Sequence, residues 1–172
     1  MLTNKVDLRI HQNTSVFSSS ADKSRGAIGT TSVVPYALNQ IHGWINPYSA
    51  KNSGLTEVDI NELFVAMWNS INNSNTRSKS NQSSVLLIQI IYRNPNDKLY
   101  GTDKLISISS SKEEEQIRDI EDFSFDFSLI DNVAKSEKVR EIRFYTEIEA
   151  IQNRILALNN SKIRLLPLFI DN

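Results

Sequence analysis

From Ile60 onward, apolar residues recur at spacings of three and four. Ile60, Leu63, Phe64, Met67, Trp68 and Ile71 share one face of a helix. Its start is written into the sequence. Thr56 suits the N-cap, since its hydroxyl can accept from an unpaired amide of the first turn, and Asp59 stands three residues on, in the capping-box position. Leu55 and Ile60 flank the cap as a hydrophobic staple. The helix ends in the polar run Asn72–Asn75, whose short side chains compete for the backbone. Trp68, Phe64 and Ile71 should pack beneath a sheet. The run Val85–Tyr92 is apolar on both faces, β-branched and aromatic, and predicts a central strand covered on both sides.

The same reading extends along the chain. Val6, Leu8 and Ile10 alternate with polar residues and predict a half-buried strand. Ser15 to Gly29 is a polar, glycine-containing excursion with Lys23 and Arg25 at its centre. A strand is expected from Thr31 to Asn46, bulged or at an edge where Pro35 removes a ladder donor and ended by Asn46-Pro47-Tyr48. Asn94–Asp97 reads as a turn, Leu105–Ile108 as a short strand, and Ser109–Glu115 as an acidic surface connector. Phe123, Phe125, Phe127 and Leu129 alternate as a strand. Ser128 would then cap a short helix, with Asp131 at the box position. Val139–Thr146 is a further strand, and Glu147–Leu158 a helix with Ile148, Ile151, Ile155 and Leu158 inward. Ile163–Ile170 is a closing edge strand marked by Pro167. Two strand–helix–strand units, 33–92 and 123–146, predict an α+β fold of ferredoxin-like pattern. Helices would lie on one face of a mostly antiparallel sheet, in one domain spanning 1–172.

Charge and composition narrow the function classes. The 172 residues carry a net charge of −1, so any nucleic-acid contact has to use a local patch. The absence of cysteine excludes disulfides, thiolate zinc sites and cysteine nucleophiles. No apolar run is long enough to span a membrane and no signal-peptide pattern opens the chain, so a cytoplasmic location without membrane contact is expected.

Candidate chemistry is sparse. His11 and His42 lack the spacing of a metal site, and His42 falls in a strand pattern where a hydrogen-bonded structural histidine is expected. Glu113–Glu115 reads as a solvated charge run. Asp119, Glu121 and Asp122 flank a strand without a nucleophile or paired base beside them. Gly26 and Gly29 lack the third glycine and the preceding buried strand of a phosphate-cradling loop. Neither a catalytic constellation, a metal site nor a cofactor is predicted. What remains is Asn75-Thr76-Arg77-Ser78-Lys79, two cations in a polar turn whose hydroxyls and amides can donate to phosphate oxygens.

An ordered set of segments carries a family resemblance. Gly29–Leu38 (GTTSVVPYAL), His42–Asn46 (HGWIN), Gly54–Asp59 (GLTEVD) and Asn75–Lys79 (NTRSK) resemble the backbone subunit of type I CRISPR Cascade complexes, especially the type I-B (DevR-like) branch. Val6-Asp7-Leu8-Arg9 resembles the strand that precedes them there, and Ile120–Phe123 with the following Phe-Asp-Phe-Ser resembles a later acidic-aromatic strand and short helix. The resemblance implies a fold like an RNA-recognition motif, with a protruding β-hairpin thumb at about 14–30. Such subunits are not nucleases. Copies line up along the guide RNA, hold its backbone, and interrupt its pairing with target DNA. On that reading Lys23 and Arg25 lie in or near the thumb, and Arg77, Ser78 and Lys79 meet RNA phosphates. The implied partners are guide RNA, target DNA in the assembled complex, further copies, and other Cascade subunits. The family's opening strand and helix are missing, and His11-Gln12-Asn13 stands where Phe-Gly-Ala is usual. The chain is therefore expected to match a C-terminal portion of such a subunit and to need a partner. An accessory subunit that docks without touching RNA, and an RNA-processing nuclease of the related RAMP superfamily, remain open alternatives.

Overall fold

The computed structural model describes residues 7–14, 26–33 and 115 as backbone, and residues 36–75, 81–114 and 116–169 in full. The architecture is mixed α+β, as the sequence predicts. The chain divides into two compact units, Met1–Ile41 with Ser109–Ser124, and His42–Ile108 with Phe125–Asn172.

In the first unit β1 (Asp7–Thr14) and β2 (Gly26–Val33) form an antiparallel ladder. Its register runs without a shift from Asp7↔Val33 to Thr14↔Gly26. The second strand therefore lies earlier than the sequence suggests. Residues 36–46 form no regular element, and Pro47, expected to end a strand, instead opens a helix. Pro35 cannot donate to a ladder, and beyond it Tyr36, Leu38, Ile41 and Trp44 lose strict alternation. The other stretch of this unit is built of turns. Ile117 and Phe123 are buried, and the Tyr36 ring lies 5.9 Å from that of Phe123.

The second unit opens with α1 (Pro47–Ser53). Asn46 Oδ1 accepts from Tyr48 N at 2.9 Å, proline occupies a first-turn position that requires no donor, and Gly54 ends the helix in the left-handed region at φ 74°. α2 (Glu57–Asn72) follows with the complete capping box: Asp59 N donates to Thr56 Oγ1 at 3.3 Å, and Thr56 N to Asp59 Oδ2 at 2.7 Å. The helix stops at Asn72, where the polar run begins.

Three strands make the main sheet, in the order β3 (Leu87–Tyr92), β6 (Val139–Tyr145), β7 (Ile163–Leu165). β4 (Ser107–Ser109) and β5 (Ser124–Asp126) form a separate short pair. The strand expected at the centre, β3, is thus an edge among the described strands, and all six of its residues are only half-buried. The central strand is β6, which buries Val139, Ile142 and Phe144 and pairs antiparallel with β3 and parallel with β7. A continuous apolar run shows that both faces are apolar, but not how many strands flank it. The parallel β6–β7 pair is joined through α4 (Glu149–Leu156), which buries Ile151 and Ile155.

Two further expectations change locally. α3 (Ser128–Lys135) has Phe127 at its N-cap and no side-chain cap; Asp126 accepts from Ser128 N at 2.9 Å and Oγ at 3.1 Å, so Ser128 spends its donors backwards. β7 spans three residues rather than eight, stopping before Pro167.

Trp68 is 3% exposed and clusters with Leu166 and Leu168, with Phe64, Val65, Leu87 and Tyr145 packed around them. Its ring meets Tyr145 edge-on at 4.8 Å. Its Nε1 and the Tyr145 hydroxyl both donate to Glu147 Oε1, at 3.3 and 3.4 Å. Burial and the neighbouring Glu147 charge push the Tyr145 hydroxyl above its ordinary pKa.

Candidate functional site

Lys23, Arg25, Arg77, Ser78 and Lys79 lie outside the described residues. The possible thumb of residues 14–30 is described only at its base, Thr14 and 26–30, which continue the β1–β2 ladder.

The acidic residues before the aromatic strand are turn-makers. Asp119 and Asp122 form a capping box around a single turn at Ile120–Asp122. Asp122 also accepts from Lys112 Nζ and, at 2.8 Å, from Arg118 N. The Lys112 hydrogen bond, with those backbone amides, holds its carboxyl below the usual range. Among the described residues, no three His, Asp or Glu side chains gather as a metal would require.

The feature that the sequence did not reveal lies in the second unit, where segment 42–48 meets the loop after β3. Asn46 fixes the start of α1, which points the Tyr48 hydroxyl at Asn96 Oδ1, 2.9 Å away. The loop is itself tied: Asp97 Oδ2 accepts from Asn94 N and Nδ2 at 2.9 and 2.8 Å, and Tyr92 Oη accepts from Leu99 N at 3.4 Å. Gly101, at φ 77°, turns the chain after Tyr100 through a region that glycine enters freely. Lys98 is thereby set over two aromatic rings, its Nζ 4.8 Å from the centre of Trp44 and 5.8 Å from that of Tyr100. His42 meets Trp44 edge-on at 4.9 Å. It is exposed and outside any strand, contrary to the structural role expected for it. Trp44 is 53% exposed and Tyr100 93%.

Beside this cluster lies an open cavity of about 550 Å³ lined by Arg93, Asn94, Asp97, Glu137, Lys138 and Lys162. The two features touch, because Lys138 Nζ donates to Lys98 O at 3.4 Å. Lys162 Nζ donates to Ser136 O at 2.8 Å, which fixes its ammonium at the rim. Counting Lys98, four cations meet two carboxylates here, and Asp97 is already engaged by Asn94. The arrangement offers flat apolar rings next to positive charge, and it holds no pairing of nucleophile and base. Sequence reasoning misses it because Trp44 and Lys98 are 54 positions apart and the pattern of segment 36–46 predicts a strand.

The mixed α+β fold, with its long antiparallel β1–β2 ladder, is consistent with the ferredoxin-like fold of the RAMP superfamily. The sequence profile of the CRISPR-associated protein Cas7 family matches residues 3–128, and the chain belongs to that family, the backbone subunits of CRISPR effector complexes. No curated protein and no solved structure matches it. The match covers Trp44, Arg93, Lys98 and Tyr100 and ends before Lys138 and Lys162.

Proposed function

We propose that this chain holds the phosphate backbone of a guide RNA and lines up with further copies along it, as a type I-B-like Cascade subunit that presents the guide to target DNA. It acts by binding, without catalysis and without a cofactor, inside the cell. The observation that carries this reading is the family match over residues 3–128. The antiparallel ladder within residues 7–33 supports it, as the base from which a thumb bearing Lys23 and Arg25 would extend. Arg77, Ser78 and Lys79, just past the end of α2, are assigned to RNA phosphates.

Phosphate contacts carry no sequence information and release counterions. Arg77→Ala and Lys79→Ala should therefore weaken binding of a labelled guide RNA to a similar degree for every guide sequence. Each should flatten the plot of log affinity against log salt by about 0.7 to 1 unit. A double variant with the parent's affinity and slope would remove these residues from the interface.

A further inference from the structure

We propose that Trp44 and Tyr100, with the Lys98 ammonium over both rings, form a stacking platform for an unpaired RNA base, and that the adjoining phosphate lies against Arg93, Lys138 and Lys162. The inference rests on the RNA-binding reading above and assigns it a subsite within the second unit.

Three observations lead there. First, two large aromatic rings stand open to solvent although the loops that carry them are tied by hydrogen bonds at Asn46, Asn96 and Asp97. Presented rings on a braced backbone are what base stacking uses, because every base offers a flat apolar face. Second, the Lys98 ammonium already occupies the space over the rings. It is a cation placed where a negatively charged chain would arrive, and on binding it can turn from the ring to a phosphate oxygen. Third, the neighbouring open cavity gathers Arg93, Lys138 and Lys162, cations of the kind that hold a phosphate. The chain as a whole is slightly acidic, so a local excess of cations beside aromatic rings is a specific arrangement. An apolar protein partner fits less well, since a lysine lies over the rings and cations border them.

The two tryptophans make the test direct. The chain contains only Trp44 and Trp68, and Trp68 is buried. Titration with a short single-stranded RNA should quench the exposed Trp44 emission and leave the Trp68 component unchanged. Trp44→Ala and Tyr100→Ala should each weaken that RNA by about tenfold, the size of one lost stack. Trp44→Phe should retain most of the affinity. An abasic strand of the same length should bind parent and Trp44→Ala equally. RNA bound by the parent with no quenching, and with equal affinity in both alanine variants, would overturn the platform and leave the RNA-binding reading standing. A parent chain that binds neither RNA nor its abasic analogue would overturn both. If Trp44→Ala instead abolishes self-association in sedimentation without altering RNA affinity, the rings are a contact between copies and the proposal is wrong.

Discussion

The two tryptophans of this chain sit in opposite settings, and the contrast separates what holds the fold from what it presents. Trp68 lies on α2 and is enclosed by Phe64, Val65, Leu87, Tyr145, Leu166 and Leu168, with its one polar atom satisfied by Glu147. Trp44 lies in a segment without regular structure, touches His42 and Lys98, and faces solvent. The same side chain is structural in one place and available in the other. The difference comes from what surrounds each ring: apolar groups from several elements at Trp68, and polar tips on a tied loop at Trp44.

The largest effect expected from breaking this comparison is at Trp68. Trp68→Ala removes a buried ring from a packed cluster and should cost about 3–5 kcal/mol in chemical denaturation. A variant that unfolds at the parent's midpoint would show that the ring is not part of the core. The cap of α2 comes next. Thr56→Ala deletes a hydroxyl that accepts from Asp59 N, and should cost about 1 kcal/mol. Loss of several kcal/mol would mean that the helix start carries tertiary contacts beyond the cap. The smallest effect belongs to Trp44: as an exposed residue, its alanine variant should stay within about 0.5 kcal/mol of the parent. Destabilisation on the scale of Trp68→Ala would make Trp44 structural and erase the contrast.

Much of the scaffold was legible because its signals are local. The capping box at Thr56 and Asp59, the helical stripe through Trp68, the alternation in β6 and the Ile151–Ile155 face of α4 each follow from residues a few positions apart. The errors arise where neighbours in space decide. β3 has the composition of a central strand, yet among the described strands it lies at an edge and β6, about fifty residues later, takes the middle. β2 is rich in glycine, threonine and serine, and its pairing with β1 is not legible from its own pattern. The cluster of Trp44, Lys98 and Tyr100 joins two loops, and no periodicity links loops. Its one sequence trace is an aromatic residue between Gly43 and Pro47, two residues that oppose the strand expected there.

The enclosure of Trp68 also has a consequence for biosynthesis. Its buried neighbours Leu166 and Leu168 lie about a hundred positions downstream, and β6, the partner strand of β3, comes some fifty residues after it. At roughly 5–20 residues per second, α2 leaves the ribosome about 5–20 s before Leu168 exists to close over it. A sixteen-residue helix has marginal stability alone. The nascent chain therefore carries an amphipathic helix and an unpaired apolar strand through that interval, and is open to chaperones or to neighbouring nascent chains until residues 139–168 are made.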